Sequence, residues 1–309
     1  MKNLGIIYCP SHKPFTSPKK RWAKIATALE EQGLKYDMIQ SERADSVERL
    51  VTMLLSNKYE TIIIAGGDSA LNDAVNSIMK AEKHIRDNVA LGVIPNGIMN
   101  DFASFWGFSY NNIEQAVASI AQHRIRKIDV GYIRYTNKKA EKKNRFFLNC
   151  VNIGLLAGIQ KLKQQTRRRL WSRKLTFIVS AIMLLFVKKI FKISYTINFI
   201  QREHRISTAC IGSAYGYGQT PNAVPYNGLL DITMVHHSPM SEILGGLYLF
   251  ARGKILNHKR ITPYRSRDIE VTIAKGTPVT VDGHPMETPY GTFYITVQHE
   301  ELNFIIEKQ

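Results

Sequence analysis

Two short segments in the first half of the chain combine glycine with acidic or amide side chains directly after an apolar run. The first, Ala65–Asp73 (AGGDSALND), ends the apolar run Thr61–Ala65 and precedes residues with helical spacing. Glycines at such a turn let backbone N–H groups approach a phosphate, and the N-terminus of the following helix favours an anion. Asp68 is then placed to meet a metal ion or its water shell. Because a Gly-Gly-Asp turn is common, the prediction depends on its position between a strand and a helix.

The second segment, Pro95–Ala103 (PNGIMNDFA), repeats this arrangement after the apolar run Val89–Ile94. Asn100 or Asp101 is suited to cap the helix that follows. Taken alone, the segment is better explained as a turn and a helix cap. Because both segments lie where a strand ends, they should converge at one edge of a parallel sheet, which is where such sheets bind ligands.

The elements that position these segments change in type along the chain. Continuous apolar strands alternate with helices in the first part, which indicates a parallel sheet covered on both faces. After about Lys127 the segments are mostly strands, several with alternating polarity, such as Leu230–Val235 and Ile269–Ile273. Few long helices intervene, which favours an antiparallel sandwich or barrel as a second domain.

The composition narrows the class of partner. The 309 residues carry a formal net charge of +17, which suggests an anionic partner such as a nucleotide, a nucleic acid or an acidic membrane surface, unless the lysines are merely solvated. No helix-turn-helix, zinc-finger or RNP pattern is present, so we expect no nucleic acid. Cys9, Cys150 and Cys210 lack metal-ligand spacing, which is typical of reduced core residues in a cytoplasmic protein.

A basic and apolar stretch runs from Lys161 to Phe199. Its apolar run, Leu175–Val187, is shorter than the roughly 20 residues that a helix needs to cross a bilayer. Flanking basic residues, with Trp171 and Phe186, suit a helix that lies on an anionic membrane surface. The alternative is a buried helix with solvated lysines at its ends. We therefore predict a cytoplasmic protein with peripheral membrane association through Lys161–Lys192.

Six segments, taken in order, resemble the diacylglycerol-kinase-like lipid kinases, a family that includes sphingosine kinases and bacterial lipid kinases. That family shows GGDGTxNE, then PxGTxNDFA some thirty residues on, and further motifs towards the C-terminus. The six segments occur in the family's order and are distributed over nearly the whole chain, which makes the resemblance specific. The segments are Ala65–Asp73, Pro95–Ala103, Ile128–Gly131, Phe147–Gly154, Asn227–Asp231 and Val281–Pro285.

The resemblance implies an α/β-plus-β protein. A Rossmann-like, doubly wound parallel sheet would bind nucleotide over residues 1–128, and an antiparallel β-sandwich would bind lipid over 129–309, with the last residues able to return to the first domain. The implied reaction moves the γ-phosphate of ATP, with Mg²⁺, to a lipid hydroxyl such as that of diacylglycerol. The resemblance gives Asp282 the role of general base and Asp68 a catalytic role, and it places Asp68 and Asp231 at the metal. The implied nucleotide contacts are Gly66, Gly67, Ser69, Asn72, Asp73, Asn96, Gly97, Asn100 and Asp101.

The sequence departs from the family pattern at the nucleotide contacts. Ser69 and Ala70 replace the Gly-Thr of the first motif, Ile98 replaces the threonine of the second, and His284 replaces a glutamate. Each lost hydrogen bond to a phosphate is worth roughly 1.5–3 kcal/mol. These departures favour a catalytically impaired pseudokinase that binds lipid or membrane, whereas the retained carboxylates favour an active kinase. A NAD- or polyol-type kinase also uses a Gly-Gly-Asp turn, but the ordered segments argue against it.

Overall fold

The computed structural model describes residues 3–10, 17–42, 46–97, 99–137, 141–166, 190–237, 240–286 and 291–307. The chain divides into a first unit, residues 1–130 with 299–309, and a second unit, residues 131–298. The helices are α1 Pro18–Glu31, α2 Ser46–Ser56, α3 Asp68–Lys80, α4 Lys83–Arg86, α5 Asp101–Phe105, α6 Ile113–Gln122, α7 Leu155–Thr166 and α8 Met240–Ala251, with 3₁₀ turns at Gly216–Gly218 and Ile255–Asn257. The strands are β1 Leu4–Tyr8, β2 Asp37–Gln40, β3 Thr61–Gly66, β4 Ala90–Pro95, β5 Ile125–Thr136, β6 Lys142–Phe147, β7 Cys150–Gly154, β8 Phe191–Ile197, β9 Ile200–Gly212, β10 Leu230–His236, β11 Ile261–Ser266, β12 Asp268–Ile273, β13 Val279–Val281, β14 His284–Pro285 and β15 Gly291–Ile305.

The first unit is built on a parallel sheet with the strand order β2-β1-β3-β4-β15. Strands β1, β3 and β4 are buried along their whole length, as expected for strands covered by helices on both faces. Helix α1 has Pro18 at its start and Ser17 as its N-cap, and its buried face recurs at helical spacing. The predicted Rossmann-like parallel sheet is confirmed.

The second unit is antiparallel. Its strand order is β14-β13-β7-β9-β8-β12-β15, with β10 and β11 following from β9. Alternation along β12 is regular, because Ile269, Val271 and Ile273 enter the core while Glu270 and Thr272 do not. One cluster of buried apolar side chains, drawn from strands between β5 and β15, forms that core. The predicted antiparallel β-sandwich is confirmed.

Strands β5 and β15 each contribute residues to both units. Where they lie in the first unit, Asp129 is fully buried and its carboxylate faces the Nδ1 atom of His299 at 2.7 Å. The same carboxylate accepts the backbone N–H of Glu300 at 2.9 Å. The start of β5 and the end of β15 are therefore tied to each other by one buried carboxylate.

The predicted membrane contact at Lys161–Lys192 falls largely outside the described residues, since residues 167–189 are not among them. Lys192 is described and forms an ion pair with Glu203 across β8 and β9. Among the helices within the described ranges, none is long and apolar enough to cross a membrane.

Candidate active site

The two glycine-containing turns meet at one edge of the parallel sheet. Strands β3 and β4 are neighbours, with Gly66 in register with Pro95. The N–H of Asn96 donates to the carbonyl of Gly66 at 2.8 Å, and the N–H of Asp68 donates to the carbonyl of Met99 at 3.1 Å. The two turns therefore converge, as the sequence predicts, and backbone hydrogen bonds join them.

Gly67 and Gly97 are packed backbone against backbone. A Cβ atom on Gly97 would lie 2.3 Å from the Cα of Gly67, and one on Gly67 would lie 2.8 Å from both the Cα of Gly97 and the carbonyl oxygen of Met99. Because backbone atoms cannot move aside as a flexible side chain can, neither position accommodates a larger residue. Close packing of the two turns therefore requires glycine at both positions, whether or not a ligand binds there.

Asp68 bridges the two turns through its side chain. One carboxylate oxygen accepts the N–H of Asp101 at 2.8 Å, and the other accepts the N–H of Phe102 at 3.2 Å. These N–H groups open α5, so a carboxylate there satisfies unpaired donors and complements the positive end of the helix. Asp68 is 6% exposed. Its contacts make it a structural link, and its catalytic and metal roles stay predictions.

The N-terminus of α3 lies beside these turns. Its N-cap is Gly67, which offers no side-chain acceptor to the first turn of this 13-residue helix. Backbone donors at such a terminus favour an anionic ligand. Ser69 is exposed on this first turn, whereas Asn72 and Asp73 are buried. The Nδ2 of Asn76 donates to the Oδ1 of Asn72 at 3.2 Å, so that side chain contributes to helix packing.

Asn100 closes the second turn on itself. Its Oδ1 accepts the N–H of Gly97, and its Nδ2 donates to the carbonyl of Gly97, both at 2.9 Å. Asp101, the first residue of α5, is half-buried. Of the predicted nucleotide contacts, the structure therefore gathers the glycines, Asn96, Asn100 and Asp101 around one turn pair.

Arg21 is a residue of this region that the sequence reasoning missed. It is 7% exposed, and its Nη2 donates to the carbonyls of Pro95 at 2.9 Å and Tyr110 at 2.8 Å, while its Nε donates to the Oδ1 of Asn96 at 3.3 Å. Burial lowers the pKa of Arg21. The available signal was an arginine on the buried face of α1, at helical spacing from Ile25.

Asp282 lies in the second unit, in the turn after β13. It is 3% exposed with φ 46°, and its carboxylate accepts three backbone N–H groups, from Leu148 at 2.7 Å, Asn149 at 3.0 Å and Cys150 at 2.8 Å. Three such donors stabilise an ionised carboxylate. His284, at the start of β14, is half-buried. Asp282 thus holds the start of β7 in place, and its role as general base stays a prediction.

The Oδ1 of Asn149 and the Oγ of Ser213 are among the polar atoms of the second unit that are buried without a hydrogen-bond partner in the described part of the chain. The two residues are neighbours, because the N–H of Ser213 donates to the carbonyl of Asn149 at 2.9 Å. Asn149 also donates its backbone N–H to Asp282. Buried polar atoms of this kind normally have a partner, so the surroundings of Asp282 suit a further polar group.

Asp231, the second predicted metal ligand, lies on β10 and faces a guanidinium group. The Nε and Nη2 atoms of Arg265 reach its carboxylate at 3.1 and 2.9 Å. Burial raises the pKa of Asp231, and Arg265 acts in the opposite direction. A cation at Asp231 would have to compete with Arg265. Over the described ranges, no group of three or more His, Cys, Asp or Glu side chains is arranged to hold a metal ion.

Comparison with known proteins places the chain in a family. Residues 14–133 match the diacylglycerol kinase catalytic domain, and residues 149–302 match the YegS C-terminal NAD kinase beta sandwich-like domain. The chain belongs to the diacylglycerol-kinase-like lipid kinase family. It is similar to a diacylglycerol kinase of Staphylococcus aureus (strain bovine RF122 / ET3-1), with 26% identity over 289 residues that cover 91% of this chain and 86% of the relative.

Solved structures agree on the fold. A diacylglycerol kinase from Bacillus anthracis superimposes with a TM-score of 0.69 at 17% identity, covering 99% of this chain and 97% of that one. The yeast NADH kinase superimposes with a TM-score of 0.58 at 11% identity, covering 100% of this chain and 84% of that one. Both similarities concern the fold alone.

Proposed function

We propose that the chain is an ATP-dependent lipid kinase that transfers the γ-phosphate of ATP to the hydroxyl of a diacylglycerol-like lipid. The observation that supports it is the joined pair of turns around Gly67 and Gly97, set beside the N-terminus of α3, which has no side-chain cap. A chain of this family with that arrangement offers the backbone donors that a polyphosphate needs. In this proposal residues 1–128 bind nucleotide and residues 129–309 bind lipid.

The residues of the first unit fit the phosphates of ATP. In the proposal, backbone donors of α3 and the hydroxyl of the exposed Ser69 bind phosphate oxygens at that terminus, and Asn100 keeps the neighbouring turn closed. ATP supplies the transferred phosphoryl group, and Mg²⁺ neutralises its charge. Because Mg²⁺ in such sites is held by one or two carboxylates plus phosphates and water, Asp68 is the residue of the described chain that we assign to it.

The acceptor hydroxyl must lose a proton, and the turn after β13 carries two groups able to take it. Asp282 is the predicted base, although three N–H groups engage its carboxylate. His284 lies two residues further on, is more exposed, and carries an imidazole, whose ordinary pKa suits proton transfer near neutral pH. In the proposal, Asp282 orders this turn and the proton leaves to one of these two side chains.

A second candidate function is a catalytically impaired protein that binds lipid at a membrane surface. Two observations favour it: Ala70 and Ile98 lack the hydroxyls of the family pattern, and the carboxylates of Asp68 and Asp282 are engaged by backbone donors. Under either candidate we propose a cytoplasmic location with peripheral membrane association that includes Lys161–Lys192.

The deciding experiment measures phosphate transfer from labelled Mg·ATP to vesicles that contain diacylglycerol or a mixed lipid extract. An active kinase gives a labelled lipid, and Asp282→Ala abolishes it if Asp282 is the base. Thermal stabilisation by Mg·ATP, which follows RT ln(1 + [L]/Kd), is measured in parallel. No labelled lipid and no stabilisation, with vesicle binding intact, would replace the kinase by the second candidate.

A further inference from the structure

The hairpin between β8 and β9 ends in an exposed aromatic residue. Its two turn residues, Asn198 and Phe199, have φ of 51° and 66°, as a two-residue type I′ hairpin turn requires. Phe199 is 101% exposed, and the next residue, Ile200, is 54% exposed. The Oγ of Ser266 donates to the Oδ1 of Asn198 at 3.0 Å, so the turn is anchored.

Phenylalanine is an unusual choice at this position. Left-handed backbone conformation is unfavourable for a bulky side chain, and glycine is the usual second residue of such a turn. The chain thus holds a large apolar side chain in solvent on a strained backbone. Local strain of this kind points to a function for the residue. A single exposed aromatic would not by itself define a surface.

A shallow cavity of about 420 Å³ begins two residues beyond this apolar tip. The register of the hairpin pairs Ile197 with Ile200 and Tyr195 with Arg202, so the cavity and the tip belong to one end of the hairpin. The cavity is lined by Arg202, Glu203, His204, His236, Thr262 and Tyr264.

A chain of hydrogen bonds orients the donors of this cavity. The Nη1 of Arg202 donates to the hydroxyl of Tyr264 at 2.8 Å, the hydroxyls of Tyr264 and Tyr195 are 3.1 Å apart, and the hydroxyl of Tyr195 is 2.9 Å from the Nδ1 of His204. A guanidinium can only donate. If the hydroxyl of Tyr264 donates to that of Tyr195, the hydroxyl of Tyr195 donates to Nδ1 of neutral His204. The Nε2 atom of His204 then carries the ring proton and is a donor. Nε2 is also a donor when the ring is protonated.

The cavity therefore presents donors and positive charge. The guanidinium of Arg202 has no acidic partner among the described residues, and it lies 5.2 Å from the centre of the Tyr264 ring. The carboxylate of Glu203 is neutralised by Lys192. The rings of His204 and His236, both of which line the cavity, are 5.0 Å apart. A phosphate group, with several acceptor oxygens, matches this set of donors.

We propose that the tip of the β8–β9 hairpin docks on a phospholipid bilayer, with Phe199 and Ile200 entering the interfacial layer and Arg202 and His204 binding a headgroup phosphate. A bilayer surface binds protein segments that combine apolar side chains with basic ones. The surface is separate from the surroundings of Asp282, because Gly212, which ends β9 near Asp282, lies roughly 26 Å along the strand from His204. The proposal does not rest on phosphotransfer, and its test uses no ATP.

The first test compares Phe199→Gly with the wild type in sedimentation with phosphatidylcholine vesicles, with and without phosphatidic acid. Glycine relieves the strained turn, so we expect the melting temperature to rise by a few degrees while vesicle affinity falls about tenfold. Loss of binding through misfolding would change the melting temperature in the opposite direction. Tyr294→Ser, which removes another exposed aromatic, is the control and should bind like the wild type.

The second test compares Arg202→Gln with Arg205→Gln. Both residues are exposed on β9, but alternation along the strand directs Arg205 to the face opposite His204. We expect Arg202→Gln to weaken binding to phosphatidic acid vesicles about fivefold and Arg205→Gln to weaken it less. Tyr264→Phe, which removes the hydroxyl between Arg202 and Tyr195, should resemble Arg202→Gln.

Inorganic phosphate separates a lipid headgroup from a soluble phosphate. One outcome is that phosphate stabilises the wild type but not Arg202→Gln, while Phe199→Gly and Arg202→Gln both bind vesicles like the wild type. The cavity then binds a soluble anion, and the proposal is overturned. Equal vesicle binding by the wild type, Phe199→Gly and Arg202→Gln also overturns it. Vesicle binding that both variants weaken, beyond their controls, supports it.

Discussion

The Cα of Gly67 lies only 2.3 Å from the place that a Cβ atom on Gly97 would occupy. Two strand-to-helix turns, more than twenty-five residues apart in the chain, are therefore in direct backbone contact. Further hydrogen bonds join them, from Asn96 to Gly66 and from Asp68 to Met99. A ligand at either turn would thus meet a rigid pair of turns, which is the preorganisation that phosphate binding requires.

Gly97→Ala should therefore break the contact between the turns. The added methyl group meets backbone atoms, so we expect a loss of about 1–3 kcal/mol in the free energy of unfolding, together with loss of any stabilisation by Mg·ATP. Urea denaturation and thermal shift measure the two effects. Gly245→Ala is the matched control, because nothing lies within 4 Å of a Cβ atom at that position in α8. Equal effects of the two substitutions would contradict the steric argument.

The sequence was sufficient to predict the turns, but not how their side chains are used. Apolar runs ending at Gly66 and Pro95 predict neighbouring parallel strands, and the structure confirms that pairing. The contacts of Asp68 could not be predicted in this way, because they depend on the position of α5 relative to α3. Reasoning from ligand chemistry directed Asp68 towards a metal ion, whereas its carboxylate accepts two backbone N–H groups of α5.

Asp68→Asn should separate the structural role of this residue from its proposed role at Mg·ATP. An amide has one acceptor oxygen, so α5 loses one of its two cap hydrogen bonds and its favourable charge, at a cost of about 1 kcal/mol in unfolding free energy. The proposed role adds a loss of Mg²⁺-dependent ATP binding. Isothermal titration with ATP, with and without Mg²⁺, measures it. If ATP binding keeps its wild-type dependence on Mg²⁺, Asp68 is structural only.

Asp282 and His284 are close in sequence, but their contacts predict different phenotypes. Asp282→Asn weakens three hydrogen bonds to backbone N–H groups, and we expect a loss of about 2 kcal/mol in unfolding free energy. Asparagine tolerates the positive φ at this position, so backbone strain does not add to the effect. His284→Gln should leave stability near that of the wild type.

Phosphate transfer by these two variants identifies the proton acceptor. If His284 is the base, His284→Gln lowers kcat while the stability of the protein is unchanged. Asp282→Asn then retains activity in proportion to its folded fraction. If Asp282 is the base, the folded Asp282→Asn protein is inactive at a temperature well below its midpoint. Normal kcat in both variants would exclude the turn as the source of the base.

The limits of sequence reasoning are also clear at Arg21 and Asp282. The helical spacing of α1 identifies its buried face, but it does not show that the guanidinium of Arg21 reaches the carbonyl of Pro95, because this contact joins residues distant in the chain. The three donors to Asp282 likewise come from β7 and the residues just before it. Periodicity predicts which residues are buried, whereas hydrogen bonds between distant residues depend on tertiary packing.

Two half-buried histidines, His123 and His236, make the stability of the protein depend on pH. Burial, followed by the nearby His204 and Arg260, lowers the pKa of His236 below its ordinary value of 6.5. Burial lowers the pKa of His123 in the same way. A histidine with a lowered pKa in the folded state contributes stability above pH 6.5 and loses that contribution as the pH falls through the folded-state value.

We therefore expect the free energy of unfolding to fall between about pH 7 and pH 5, and His236→Gln to reduce that slope. Urea denaturation at several pH values measures it. His123→Gln should reduce the slope independently, because His123 and His236 belong to different units. If neither His236→Gln nor His123→Gln changes the slope of unfolding free energy against pH, burial of these rings does not set the stability of the protein in acid.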